Sequence, residues 1–216
     1  MKQLTRLFIP ICLETLFYML SGMVDTLMLS AVGDYAVGAV GTANSYIGIF
    51  IIMFSIISSG MVSVMTQNIG AGKHDRARLT LRYVLYMTVG YGLAAATIVQ
   101  FLSVPFVGLF TNDGAVQILG GQYLRSYAWD CVFAGVHFCL SGYFYAYGLS
   151  IVSFIHNSIS IICARIPLSY YAATHFPDTL FPMGCAAPAG SIISIIICVG
   201  VLIWMNKHTE KYMERT

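Results

Sequence analysis

This sequence is short of charge. Asp, Glu, Lys and Arg make up only 9% of its 216 residues, where a soluble domain carries about 25%. Hydrophobic residues reach 58% and mean hydropathy is +0.78, which excludes an ordinary water-soluble domain and points to the membrane class. The formal net charge is only +2, and no basic stripe interleaved with aromatics is present, so no nucleic-acid partner is expected. None of the six cysteines forms a C-x-x-C pair and all lie in apolar runs. They read as small buried hydrophobes, not as disulfides or metal ligands. Enzyme signatures are missing too: there is no H-E-x-x-H, no nucleophile elbow, and no glycine-rich phosphate loop between a strand and a helix. Gly70-Ala-Gly72 reads as a helix break. The chain is therefore expected not to be an enzyme and to hold no metal or organic cofactor. Its first six residues are polar and no small-residue cleavage site follows, so the first span is expected to stay in the mature protein.

What the sequence does have is apolar runs long enough for membrane helices, each needing about 20 residues. Six qualify, at about 7–30, 35–67, 81–110, 127–147, 150–174 and 180–204. The expected fold is all-α: one six-helix transmembrane domain over 1–206 and a polar tail at 207–216. The second run is longer than one straight crossing needs, so tilt, a kink or an interfacial first turn is expected. A mildly polar helix at 115–125 is expected at the membrane interface, with Arg125 and Asp130 forming a boundary cluster.

Positive residues orient the bundle. With both termini on one side, that side holds Lys2, Arg6, Lys73, Arg76, Arg78, Arg82, Lys207, Lys211 and Arg215. The other side holds Asp34, Asp113 and Asp178, with only Arg125 near the boundary. This places both termini in the cytoplasm of a multi-pass inner (cell) membrane protein, and it requires an even number of spans.

The first run carries two acids. Glu14, Tyr18, Ser21 and Asp25 fall at i, i+4, i+7 and i+11, so a helix aligns them on one face, with Asp25 about 16 Å beyond Glu14. Pro10 is expected to weaken or bend the inner end of that helix. An acid at the bilayer centre costs about 2.5–3.5 kcal/mol and marks an ion or proton path by default. The competing explanation for Asp25 is a structural acid bonded to a neighbouring helix. Glu14 reads equally as a proton or cation site and as an interfacial acid near Arg6. Arg165, inside the fifth run, needs a carboxylate partner: Asp25, Glu14 or an equivalent acid of a second subunit. His156 and Asn157 either line a polar path or make interhelical hydrogen bonds.

Several stretches resemble one family. PICLETLFYMLSGMVDTLMLSAVGDYAVGAVGTANSYI is similar to the first two helices of MATE (multidrug and toxic compound extrusion) transporters, through Pro10, Val24-Asp25-Thr26, and the Gly33 turn followed by Ala39-Val40-Gly41. TQNIGAGKHDRA resembles the family's loop between its second and third helices. GQYLRSYAWDC, HNSISIICARIPLSYY and FPMGCAAPAGSIISIII resemble the fourth, fifth and sixth helices of a half. MATE proteins have twelve spans in two similar halves, and this chain has six. Its opening is like the first half, whereas Arg165-Ile-Pro167 and Met183-Gly-Cys-Ala-Ala-Pro188 are more like the second.

The resemblance implies a cation-coupled antiporter exporting organic cations or drug-like amphiphiles, with Asp25 at the family's coupling position. The coupling ion would be H⁺, with Na⁺ the second choice. Six spans lack a facing half, so a homodimer in the lipid bilayer is expected. The alternatives are a non-transporting fragment or helical interaction module, and a lipid-type flippase.

Overall fold

The computed structural model describes residues 2–207. Residues 208–216, with most of the expected tail and with Lys211 and Arg215 of the orientation count, lie outside the described residues, as do the side chains of Lys2 and Arg6. The chain is all helical in its regular structure: α1 Lys2–Val32, α2 Asp34–Gly70, α3 His74–Gly108, α4 Gly114–Tyr127, α5 Asp130–Ala146, α6 Ser150–Ser160, a π turn Ile161–Arg165, α7 Ile166–His175, α8 Phe181–Gly184 and α9 Ala186–Lys207.

Five segments are long and apolar enough to cross a membrane: Leu7–Val32, Asp34–Gly70, His74–Gly108, Ser150–His175 and Phe181–Met205. The fourth expected span corresponds to α5, whose 17 residues rise about 25 Å. It follows α4 through the turn at 128–129.

Local chemistry explains the joints. Gly33 opens α2 at φ 150° and ψ 165°, a region that is nearly glycine-only, so α1 can turn into α2 without a loop. Asp113 caps α4 by accepting from the N–H groups of Ala115 and Val116, which satisfies orphan donors of the first turn. Pro10 and Pro105 lie within α1 and α3, yet both helices run through them unbroken; the expected bend at Pro10 is not a break. Pro167 acts differently. It has no N–H to offer the carbonyl of Cys163, and just before it the Ile166 N–H bonds the carbonyl of Ile161, five residues back. In the sixth span, Pro188 cannot donate to the Gly184 carbonyl, and the helix divides there into α8 and α9.

Helices α2, α3, α4 and α5 form a close-packed bundle. A Cβ on Gly92 of α3 would lie 2.5 Å from the Cys131 carbonyl oxygen of α5, so the two backbones touch. Segment 115–125 belongs to α4 and packs against α2, α3 and α8. Its Gly120 and Gly121 sit against Val107 and Val104, which lets it lie within the bundle. One apolar cluster, with Leu29, Val40, Leu124, Tyr127 and Met183, fills the end holding the Gly33 turn. A second, with Met61, Met65, Leu81, Phe144 and Met205, fills the end near the Gly72 turn.

Candidate functional site: a polar cavity between the first helix and the fifth span

Between the two apolar ends lies a cavity of about 670 Å³. Its walls come from α1, α2, α5, the α6–π–α7 arm and α9. Apolar surface from Leu7, Ile11, Ile51, Val62, Phe138 and Ile161 alternates with Glu14, Tyr18, Asp130, His137, Asn157, Arg165 and seven serines, among them Ser58, Ser141, Ser160, Ser191 and Ser194.

The acidic stripe of α1 faces the arm. Tyr145 of α5 donates its hydroxyl to Glu14 Oε2 at 2.5 Å, and Asn157 Nδ2 donates to Glu14 Oε1 at 3.3 Å. One turn on, the ring of Tyr18 lies under the Arg165 guanidinium, 5.7 Å from its Cζ. Two turns further, Asp25 Oδ2 meets Arg165 Nε at 3.4 Å, and Ser169 lies beside the same carboxylate. Glu14 and Tyr18 line the cavity, whereas Asp25 and Ser21 lie beyond its lining. Ser21 is buried, and its hydroxyl and Asp25 Oδ1 have no hydrogen-bond partner among the described residues. The partner expected for Arg165 is thus Asp25, within the same chain.

The contacts ascend together: 14 with 157, 18 with 165, 25 with 165 and 169. Helix α1 and the arm therefore run parallel, as an odd number of intervening crossings requires. The π turn makes this ladder possible. Glu14 and Asp25 are eleven residues apart and return to one face within about 20°. Asn157 and Ser169 are twelve apart, which in an unbroken α-helix leaves them about 120° apart. The π turn absorbs the extra residue and brings Asn157, Arg165 and Ser169 onto the face toward α1.

His156 is fully buried. Its ring nitrogens meet Ser141 Oγ at 3.0 Å and Ser194 Oγ at 3.3 Å, so it ties α5, α6 and α9 together behind the cavity wall. Asn157 is on the wall itself.

Asp130 departs from the sequence expectation. The Arg125–Asp130 boundary cluster does not form. Arg125 Nε donates to Ser103 Oγ at 2.7 Å, while Asp130, only 6% exposed, turns into the cavity beside Ser191. Its Oδ1 has no hydrogen-bond partner among the described residues, and neither does Nδ1 of cavity-lining His137. Five residues of sequence suggested a pair, but the turn between α4 and α5 sends the two side chains apart. The one available signal was Asp130's place within an apolar run, the same signal that marked Asp25.

The chain has known relatives. The MatE family model matches residues 10–171, and the chain belongs to that family. Over 94% of its length it is 25% identical to the uncharacterized transporter YisQ of Bacillus subtilis, covering 45% of that protein. Over 96% it is 26% identical to the multidrug resistance protein PmpM of Pseudomonas aeruginosa, covering 43% of that protein. Its fold matches the crystal structure of a mutant of the Vibrio cholerae MATE transporter VcmN with TM-score 0.85 at 18% identity, covering 96% of this chain and 46% of that one. The chain thus spans about half the length of the relatives it matches. Together with the apolar helices, this membership makes it a multi-pass membrane protein.

Proposed function

We propose that this chain acts as one half of a cation-coupled antiporter that exports organic cations or drug-like amphiphiles, with H⁺ as coupling ion and Na⁺ as second choice. The observation that carries the reading is the cavity: an apolar-walled space reached by Glu14, Asp130 and Arg165, beside an Asp25–Arg165 ion pair. Ionisable groups at membrane depth are costly and tend to mark ion paths. The family membership and the name of PmpM support the substrate class.

Asp25 would bind the coupling ion. Protonation removes its charge, weakens its hold on Arg165, and loosens α1 from the arm. Export follows only if proton and substrate bind two packings of α1 with different affinities. The positive-residue count favours a cell-membrane protein with cytoplasmic termini. A six-helix half leaves the facing half to be supplied. Two copies in one orientation, related by a two-fold along the membrane normal, would supply it as a homodimer.

The test is dye or drug transport into vesicles under paired pH and Na⁺ gradients. Asp25→Asn is expected to abolish transport driven by the pH gradient; unchanged transport in that variant would remove Asp25 from the coupling role. A second reading is favoured by the half-length match: a helical half that transports nothing alone. A monomeric particle in detergent together with inactive vesicles would select it.

A further inference from the structure

We infer that Arg165 is an anion anchor, and that the cavity takes zwitterionic amphiphiles whose carboxylate sits on its guanidinium while the cationic group lies toward Glu14 and Asp130. This rests on the transport reading for the ligand's fate, though binding can be read separately.

A guanidinium offers five N–H donors in a fixed fork, and carboxylates prefer to engage it through two parallel bonds. Asp25 does not do so. Its contact is a single 3.4 Å approach to Nε, and Ser169 also lies beside its carboxylate. Tyr18 lies over one face of the guanidinium. No other ion pair to Arg165 is present among the described residues. The side chain nevertheless reaches the cavity and keeps 17% of its surface exposed. A partly engaged, cavity-facing guanidinium still has donors for a second carboxylate.

The opposite charges lie elsewhere in the same space. Glu14 is held at Asn157, eight residues before Arg165 on the arm, or about 12 Å along the helix. Asp130, on the α5 wall, has a buried carboxylate oxygen with no hydrogen-bond partner among the described residues. A purely cationic ligand filling the cavity would bring its charge against Arg165. A purely anionic one would meet two acids. A ligand that carries both charges matches both ends, and Ile11, Phe138 and Ile161 give its middle an apolar wall.

The test uses the full chain, purified in detergent, and two probes. One is a xanthene dye with a free carboxylate beside its cationic ring system; the other is the ethyl ester of the same dye. Fluorescence anisotropy reads the affinity of each. The wild type is expected to bind the carboxylate form about tenfold more tightly, the scale of one charge-assisted contact. Arg165→Gln, at the wild-type elution volume, is expected to erase the preference, and Arg165→Lys to retain part of it. Glu14→Gln is expected to weaken both dyes alike. Equal wild-type affinities, a preference that survives in Arg165→Gln, or no saturable binding of either dye would overturn the anchor. A clear preference without vesicle transport would sink the export reading and leave the anchor standing. Transport of both dyes without preference would do the reverse.

Discussion

The α2–α5 bundle and the pair formed by α1 with the α6–π–α7 arm are held by different forces. In the bundle, small residues bring backbones into contact and apolar side chains fill the space: Gly92 against Cys131, Gly135 against Phe54, Gly142 against Met61. Such packing has one good arrangement, and a misfit is felt at once. Between α1 and the arm, Phe17 packs edge-on against Phe154 and the other ties are polar: Glu14 with Asn157, Tyr18 under Arg165, and Asp25 with Arg165; Tyr145 of α5 adds a second bond to Glu14. Few α1 side chains are buried beyond Pro10, Ser21 and Leu29. The bundle is a scaffold set by shape. The position of α1 depends on which groups carry charge, and that dependence is what an ion-driven switch requires.

The largest expected effect comes from breaking the polar side. Arg165→Met leaves Asp25 a buried charge without its partner, which costs about 3–5 kcal/mol. Thermal unfolding in detergent should show a large loss, and the double variant Asp25→Asn with Arg165→Met should regain most of it. If the double variant is no better than the single, charge is not what holds α1 to the arm.

On the packed side, Gly92→Val forces a side chain onto the Cys131 carbonyl and should cost about 1–3 kcal/mol or more. No change of pH or of a neighbouring side chain should rescue it, because the atoms it meets, the Cys131 carbonyl and the Val132 Cα, are backbone. Unfolding curves of Gly92→Val at several pH values measure this. Rescue by a charge change instead would erase the distinction between the regions.

Tyr145→Phe removes the shorter of the two bonds to Glu14. A hydrogen bond to a charged group is worth about 1.5–3 kcal/mol in favourable cases, but Asn157 remains, so a shift near the lower value is expected. Ser58→Ala removes the bond from Ser58 Oγ to the Phe138 carbonyl, which links α2 to α5 beside the cavity. About 1 kcal/mol is expected, with no effect on the pH dependence of transport. An altered pH profile in Ser58→Ala would mean that the scaffold is part of the switch.

Much of this was legible in the sequence, and the limit has a physical origin. The acid spacing in 14–25 predicted a stripe, and the structure brings Glu14, Tyr18 and Asp25 of that stripe against the arm. The need of Arg165 for a carboxylate followed from burial alone, and Asp25 was among the acids weighed. The arm was not legible in the same way. Helical spacing assumes 3.6 residues per turn, and under that rule Ser169 does not share a face with Asn157. Only the longer hydrogen-bond loop at 161–166, next to Pro167, brings them together. Asp130 was misplaced for a related reason: its nearness to Arg125 in sequence hid the turn at 128–129 that redirects it. Both failures arise where a helix departs from regular geometry, and both departures adjoin the cavity.

The π turn also acts as a vernier. It matches twelve residues of one helix to eleven of another over the same length of about 16 Å. Deleting a single residue from 161–164 would let the arm close into ordinary α geometry, apart from the bond that Pro167 cannot donate, with its apolar composition nearly unchanged. The residues on either side of the deletion would keep their places on the face toward α1, because the shortened helix would then count eleven against eleven. The arm would lose its surplus residue but keep its ladder, and with it would go the one place where the helix can trade a five-residue hydrogen-bond loop for a four-residue one without changing its length of chain.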